Sequence, residues 1–177
     1  MDAMDEMIQY LDHSDVSASD LRAMAQLAFS DTFAHLYDHD PFVEFLSKTY
    51  GPGGSMERDL CDPTIQWKVA VFDGSPIGYA KVSLLTAPAL SPKPDALELR
   101  QIYVLRAWHG RGVADCLMNW ALDHARSCRA TEIYLTVFDH NRRAKGFYSR
   151  YGFSEVGHCT FTLGDRVDND RVWCKVL

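Results

Sequence analysis

Six residues with two glycines, His109-Gly110-Arg111-Gly112-Val113-Ala114, stand between a strand-like run, Leu97 to Val104, and a helix-like run that opens at Val113. Residues without a Cβ let the chain bend and bring successive backbone N–H groups to one spot. The first N–H groups of a helix have no internal partner, and the helix dipole adds partial positive charge there. Together these features make a site for phosphate or diphosphate. Spacing removes two common ligands. A dinucleotide fingerprint requires a third glycine where Asp115 stands, and a carboxylate there repels a diphosphate. A nucleoside-triphosphate loop ends in Gly-Lys-Ser/Thr, and the chain contains no such triplet.

The stretch from Tyr103 to Ala114 resembles the coenzyme A signature of the GNAT family of N-acetyltransferases, in which Gln/Arg-x-x-Gly-x-Gly/Ala follows an apolar strand. Gly112 and Ala114 stand at the last two fixed positions and Val104 at the apolar strand end. The first fixed position departs: it is His109, whose imidazole still offers an N–H donor, so a weakened anion contact is expected. A second block runs Asn141-Arg142-Arg143-Ala144-Lys145-Gly146-Phe147-Tyr148-Ser149-Arg150-Tyr151-Gly152-Phe153. It is similar to the same family's Asn-x-x-Ala-x-x-Phe-Tyr-x-x-x-Gly-Phe signature at every fixed position. It begins 27 residues after Ala114, which leaves room for one helix and one strand. The resemblance extends from about Ile65 to Gly157.

It implies one α+β domain over 1–177: a mixed, mostly antiparallel sheet with a central parallel β-α-β pair and helices on both faces. It implies acetyl-CoA as cosubstrate, with no metal, and direct attack by a primary amine. On this reading main-chain groups of Ile102, Tyr103 and Val104 bind the pantetheine arm. His109, Gly110, Arg111, Gly112, Val113 and Ala114 surround the diphosphate, and Asn141, Arg143 and Tyr148 complete the coenzyme site. The resemblance also gives Tyr148 a catalytic role beside the coenzyme's sulfur. A phenol of pKa about 10 stays protonated at neutral pH and can donate to a departing thiolate. As an alternative, Tyr148 is a core residue of an amphipathic helix. Asn141 serves as helix N-cap, as pantetheine ligand, or as both.

An amine acceptor arrives as an ammonium, and freeing its lone pair at pH 7 costs about 4 kcal/mol. Glu98, on the strand that leads into the glycine turn, is the candidate general base. Strict alternation places it on one face with Arg100, Ile102 and Val104. An ion pair with Arg100 is the competing use of Glu98. Arg106, Arg111, Arg142 and Arg143 are either phosphate contacts or solvated surface charges. Arg142 and Arg143 oppose the dipole at a helix start, which hints at an anion. His35 and His39 are four apart, but Asp40-Pro41 disfavours a helix there and no third metal ligand is evident. Cys116 reads as a packed side chain among Val113, Leu117 and Trp120. Thr32 to Tyr37 and Phe42 to Tyr50 resemble the helical lid of PaiA-type acetyltransferases, some of which act on polyamines. Asp38, Asp40 and Glu44 beside that lid either attract a cationic amine or are ordinary surface charges.

The elements that must position these residues follow from periodicity and turn chemistry. A short strand covers Met7 to Leu11. Ser17 or Ser19 caps a helix with Leu21, Met24, Ala25, Ala28 and Phe29 at helical spacing. A second helix starts near Asp40-Pro41 and is broken by Gly51-Pro52-Gly53-Gly54, and a short third covers Met56 to Cys61. Ile65–Phe72 and Ile77–Leu85 form a hairpin around Asp73-Gly74-Ser75-Pro76. Strand 97–104, helix 113–129 and strand 131–138 make a β-α-β unit with parallel pairing. A helix over 141–150 and two strands around Gly164-Asp165 close the sheet.

A formal charge of −6 disfavours nucleic acid as a partner and suits a cationic substrate. No apolar run is long enough to span a membrane, and the acidic start, Met1 to Glu6, lacks the basic opening of a secretory signal. Five scattered cysteines fit a reducing cytoplasm. Phe161, Val172 and Trp173 are available to the core or to a homodimer interface. The expected activity is acetylation of a small-molecule amine such as a polyamine. The alternatives are a protein N-terminal or lysine acetyltransferase and a noncatalytic acyl-CoA-binding module.

Overall fold

The computed structural model describes residues 7–177; the acidic start, 1–6, lies outside them. One seven-stranded sheet runs in the order β1-β2-β3-β4-β5-β7-β6. Its strands are β1 (Gln9–Leu11), β2 (Gln66–Phe72), β3 (Ser75–Leu84), β4 (Leu97–Val104), β5 (Glu132–Phe138), β6 (Ser154–Leu163) and β7 (Arg166–Val176). Only β4 and β5 pair in parallel; every other neighbour pair is antiparallel. The helices are α1 (Ala18–Phe33), α2 (His39–Tyr50), α3 (Ser55–Cys61), α4 (Val113–Ser127) and α5 (Arg142–Arg150). The mixed sheet with a parallel pair and helices on both faces is the expected α+β class.

Local chemistry accounts for most of the boundaries. The Ser17 side chain caps α1 by accepting from the Asp20 N–H at 3.3 Å, and the five apolar residues read from the sequence are the buried face of that helix. The Asn141 side chain caps α5 through the Ala144 N–H at 3.1 Å. The β2–β3 turn is tighter than expected. Asp73 and Gly74 both take positive φ, 48° and 71°, which gives the two-residue hairpin turn whose twist matches the strands. Ser75 and Pro76 therefore belong to β3. Pro76 lacks an N–H and is tolerated because the ladder shifts register beside it, between Ala70 and Val71.

The sheet separates two apolar clusters. On one face α4 lays Val113, Leu117, Met118, Ala121, Leu122 and Ala125 against Leu97, Leu99, Ile133 and Leu135, with Tyr148 and Trp173 in the same cluster. On the other face α1, α2 and α3 pack Leu21, Phe29, Phe42 and Met56 against Val69, Val71 and Tyr79. Val172 and Trp173 are buried in this architecture, so they are core residues and not a free interface. Cys116 is exposed, because the buried stripe of α4 passes through 113, 117 and 118 and leaves 116 outside it. Among the described residues no helix is long and apolar enough to cross a membrane.

Two irregularities open the middle of the sheet. First, β4 and β5 pair only through Leu97 with Ile133 and Glu98 with Tyr134, and beyond those residues the strands separate. Second, β4 carries an extra residue opposite β3: Lys81 faces Gln101 and Val82 faces Leu99, which leaves Arg100 in a bulge. A bulge reverses the alternation. Leu97 and Leu99 join the α4-side cluster, and past Arg100 it is Ile102 and Val104 that do so. Glu98 thus falls on the face of Gln101 and Tyr103, opposite Ile102 and Val104. This corrects the strict alternation read from the sequence.

Candidate active site

The gap between β4 and β5 continues into a cleft of about 390 Å3. Its floor is the second half of β4, Leu99 to Val104, and the facing part of β5, Thr136 to Phe138. Leu105 donates its N–H to the Ile77 carbonyl of β3 at 2.9 Å. By alternation the Val104 and Ile102 main-chain groups point the other way, into the gap that β5 leaves.

The glycine turn stands at one end of the cleft. Gly110 and Gly112 take φ of 75° and 79°, a region that disfavours side chains, and the space where each would carry a Cβ is open. Gly112 is the N-cap of α4 and supplies no capping side chain, so the first N–H groups of that helix are left for an external acceptor. Asp115, the residue that argued against a diphosphate, is turned to other partners. It accepts from the Tyr151 hydroxyl at 2.6 Å and lies 3.7 Å from Arg150, both at the end of α5. The Arg111 guanidinium stacks on Trp108 with 5.1 Å to the ring centroid. The turn therefore has open space and unused backbone donors, and the one nearby carboxylate of α4's first turn is engaged elsewhere.

His109 is used differently from the expected anion donor. Its Nε2 is 2.8 Å from the Val104 carbonyl and its Nδ1 is bonded to Arg143, so neither ring nitrogen is left for a phosphate. Burial pushes its pKa below the ordinary histidine value. Arg143 lines the cleft with His109, Ala114 and Asn141; Val113 is fully buried and can offer only its backbone N–H. Arg106 lines an adjoining cavity.

Tyr148 also lines the cleft. It is 9% exposed, and burial drives its phenol pKa well above the usual value, so it stays protonated. Glu98 is not among the lining residues. It is 6% exposed, and one carboxylate oxygen accepts from the Thr86 N–H (2.7 Å), the Thr86 hydroxyl (2.7 Å) and the Ala87 N–H (2.9 Å). The expected base is instead the anchor of the proline-rich stretch that precedes β4. Arg100 does line the cleft and lies 3.8 Å from Asp59, not beside Glu98.

The acids of the cleft come from β7. Asp168 and Asp170 share the face that continues into buried Val172 and Cys174. Around them stand Phe29, Phe33, Tyr37, Phe45, Phe138 and Phe161. Asp168 accepts from the Tyr37 hydroxyl at 2.6 Å and from Arg166 Nε at 2.7 Å. Burial would raise it, but these bonds outweigh burial and hold its carboxyl below the usual value. Arg166 also donates to the Leu36 carbonyl, which fastens the α1–α2 connection beside the cleft, and the hairpin tip at Gly164 lies so close to α2 that a Cβ there would stand 2.7 Å from Pro41. Asp170 is pushed up to about 6, first by burial and then by the neighbouring Asp168 charge. The acids proposed from the sequence lie elsewhere: Asp38 and Asp40 are exposed, with Asp40 paired to His39, and Glu44 pairs with Lys48. The β7 pair was readable in principle, as two carboxylates at period two that lead into Val172 and Cys174 on the same strand face.

The site thus joins a parallel pair prised apart, a helix N-terminus and a buried tyrosine in one cleft. Residues 22–153 match the model of the acetyltransferase (GNAT) family, and the chain belongs to that family as an acetyl-CoA-dependent N-acetyltransferase. An uncharacterised N-acetyltransferase from the pepI 3' region of Lactobacillus delbrueckii subsp. lactis is 27% identical over 155 residues, 88% of this chain and 89% of that one. An uncharacterised N-acetyltransferase of Mycobacterium tuberculosis is 34% identical over 118 residues, 67% of this chain and 71% of that one. The fold is shared with the PaiA N-acetyltransferase of Thermoplasma acidophilum, solved with coenzyme A. The TM-score is 0.71 at 18% identity, covering 97% of this chain and 99% of that one.

Replacing Glu98 tests its place as an anchor. Glu98→Ala removes the acceptor of two N–H groups and one hydroxyl, and is expected to lower stability by about 1–3 kcal/mol in urea unfolding. The turnover number and its pH profile should stay within about twofold of the native enzyme, as for a change away from the reacting atoms.

Proposed function

We propose that this enzyme acetylates a small cationic amine, polyamines first, with Asp170 as general base and Tyr148 as the hydrogen-bond donor to the leaving sulfur. The observation that carries the reading is the β7 carboxylate pair set among aromatic rings in the cleft that also holds Tyr148. Bound acetyl-CoA supplies the acetyl group and leaves as the thiolate. The diphosphate lies against the N–H groups of Gly112 to Ala114, and the Ile102 and Val104 main-chain groups hold the pantetheine arm and polarise the thioester carbonyl.

An ammonium entering the cleft meets Asp168 and Asp170, whose charges and ring neighbours favour a cation over a neutral molecule. Asp170 then takes a proton from the amine, directly or through water, and the freed lone pair attacks. A base whose pKa sits near 6 is ionised at pH 7 yet still able to accept the proton. Tyr148, held protonated by burial, steadies the thiolate without giving up its proton. The fastened α1–α2 segment narrows the site, which favours a small acceptor over a folded protein. The free cysteines suit a reducing compartment, and the cytoplasm is the setting we assign.

A CoA-release assay across diamines, polyamines, amino acids and N-terminal peptides tests the acceptor. Polyamines should exceed neutral amines and peptides in kcat/KM by at least about tenfold. Peptides as the best substrates would overturn the acceptor reading, and coenzyme binding with no turnover on any amine would make the protein a binding module. Tyr148→Phe should lower kcat by about tenfold or more while changing coenzyme affinity little. In the native enzyme kcat should fall as pH drops through about 6, because protonated Asp170 cannot accept a proton. Asp170→Asn should lower kcat by about a hundredfold and abolish that limb; retention of the limb would remove Asp170 from the role.

A further inference from the structure

One position departs from the family pattern, and the structure gives that departure a use. His109 follows β4, Arg143 lies in the first turn of α5, and the bond between them spans the opening that β4 and β5 leave. The tautomer follows from the partners. A guanidinium only donates, so Nδ1 must present its lone pair to Arg143. Nε2 then carries the proton and donates it to the Val104 carbonyl at 2.8 Å. That carbonyl points into the opening, so the imidazole ties the end of β4 to the start of α5.

Arg143 is poorly placed for the helix that carries it. It sits at the N-terminal end, where a cation opposes the dipole, and the first turn of α5 contains no acidic residue. The arginine gains nothing from its own helix and is held by a neutral acceptor. Its charge is therefore not cancelled by the residue that positions it. His109, Arg143 and Arg106 also line a second cavity of about 280 Å3, continuous in residues with the cleft and bounded by Asp31 and Thr32 of α1.

We infer that His109 is a positioning residue: as a neutral imidazole it holds Arg143 across the mouth of the cleft, so that the guanidinium meets the coenzyme's phosphates. This rests on the coenzyme placement proposed above and adds to it a device specific to this chain. The Gln or Arg expected at the first fixed position reaches the anion with its own N–H groups. His109 instead spends both ring nitrogens on the protein and delegates the anion to Arg143.

A consequence distinguishes the two arrangements. A protonated His109 carries a hydrogen on Nδ1 and can no longer accept from Arg143. The charged groups facing the ring are Arg143 from α5, Arg106 from the turn after β4, and Asp31 from α1. Burial and the two arginines favour the neutral ring; the bond to the Val104 carbonyl and the Asp31 charge favour the protonated one, and burial prevails. Coenzyme affinity supplied by the strap is thus complete above the histidine's lowered pKa and lost as pH falls through it. Loss of turnover through Asp170 is a separate event, seen in kcat and not in the affinity for coenzyme.

The test is calorimetric titration of the purified full chain with CoA and, separately, with pantetheine, which lacks every phosphate. His109→Ala and Arg143→Ala should each weaken CoA binding by about tenfold, the effect of one charge-assisted bond. The double variant should be no weaker than either single one, because both remove the same contact. Pantetheine affinity should not change in any of them, which separates lost phosphate contact from general damage to the cleft. Native CoA affinity should hold through the ordinary histidine range and drop only as pH falls below it, and His109→Gln should bind CoA with no such drop. Additive losses, an equal loss for pantetheine, or an unchanged pH dependence in His109→Gln would overturn the proposal. Failure of the native chain to bind CoA at all would instead overturn the coenzyme placement beneath it.

Discussion

Two neighbouring parallel strands that stop pairing after two residue pairs are the constraint on which the rest of this molecule depends. A sheet interior leaves no main-chain group free, because each strand satisfies the next. Where β4 and β5 part, the N–H and C=O groups of Ile102 and Val104 lose their sheet partner, and something other than a strand has to take its place. The bulge at Arg100 belongs to the same event. It turns Ile102 and Val104 toward the α4 side and Tyr103 toward the α1 side, so one strand lines both halves of the cleft. The α4 N-terminus then stands at the end of the groove without a capping side chain.

The two sides of the cleft carry opposite charge. Arg106, Arg111, Arg142 and Arg143 cluster around the turn and the start of α5, while Asp168 and Asp170 stand on β7. A coenzyme that is anionic at one end and the cationic acceptor we propose at the other fit that division. It also explains how a chain of net charge −6 keeps a site for a polyanion: the arginines are local, and the excess of acid lies elsewhere. Burial raises the pKa of both groups on which the proposed chemistry relies. It keeps the Tyr148 proton on and makes the Asp170 carboxylate more basic, the directions that a hydrogen-bond donor and a proton acceptor need.

Much of this was legible in the residues. The two glycines, the Asn141 cap and the apolar stripes of α1 and α4 report local physics, and local physics decides turns, caps and helix faces. What escaped depended on distant partners. The bulge at Arg100 is visible only when β4 is laid against β3, and without it Glu98 was assigned the wrong neighbours and the role of base. Asp168 and Asp170 fell in one of two strands read only as closing the sheet, because the sequence does not show that β7 lies between β5 and β6 with one face toward the cleft. Cys116 looked packed beside apolar neighbours, yet a shift of one residue around a helix separates core from solvent.

The central claim is that the glycine turn and the unpaired stretch of β4 together receive coenzyme A. Titrating uniformly 15N-labelled protein with CoA and following backbone amide signals reads this directly. The account predicts saturable shifts concentrated at Ile102 to Val104 and at Gly110 to Asp115, with the far edge strands β1 and β2 unaffected. Silent amides in those two segments at millimolar CoA, or shifts centred anywhere else, would contradict it.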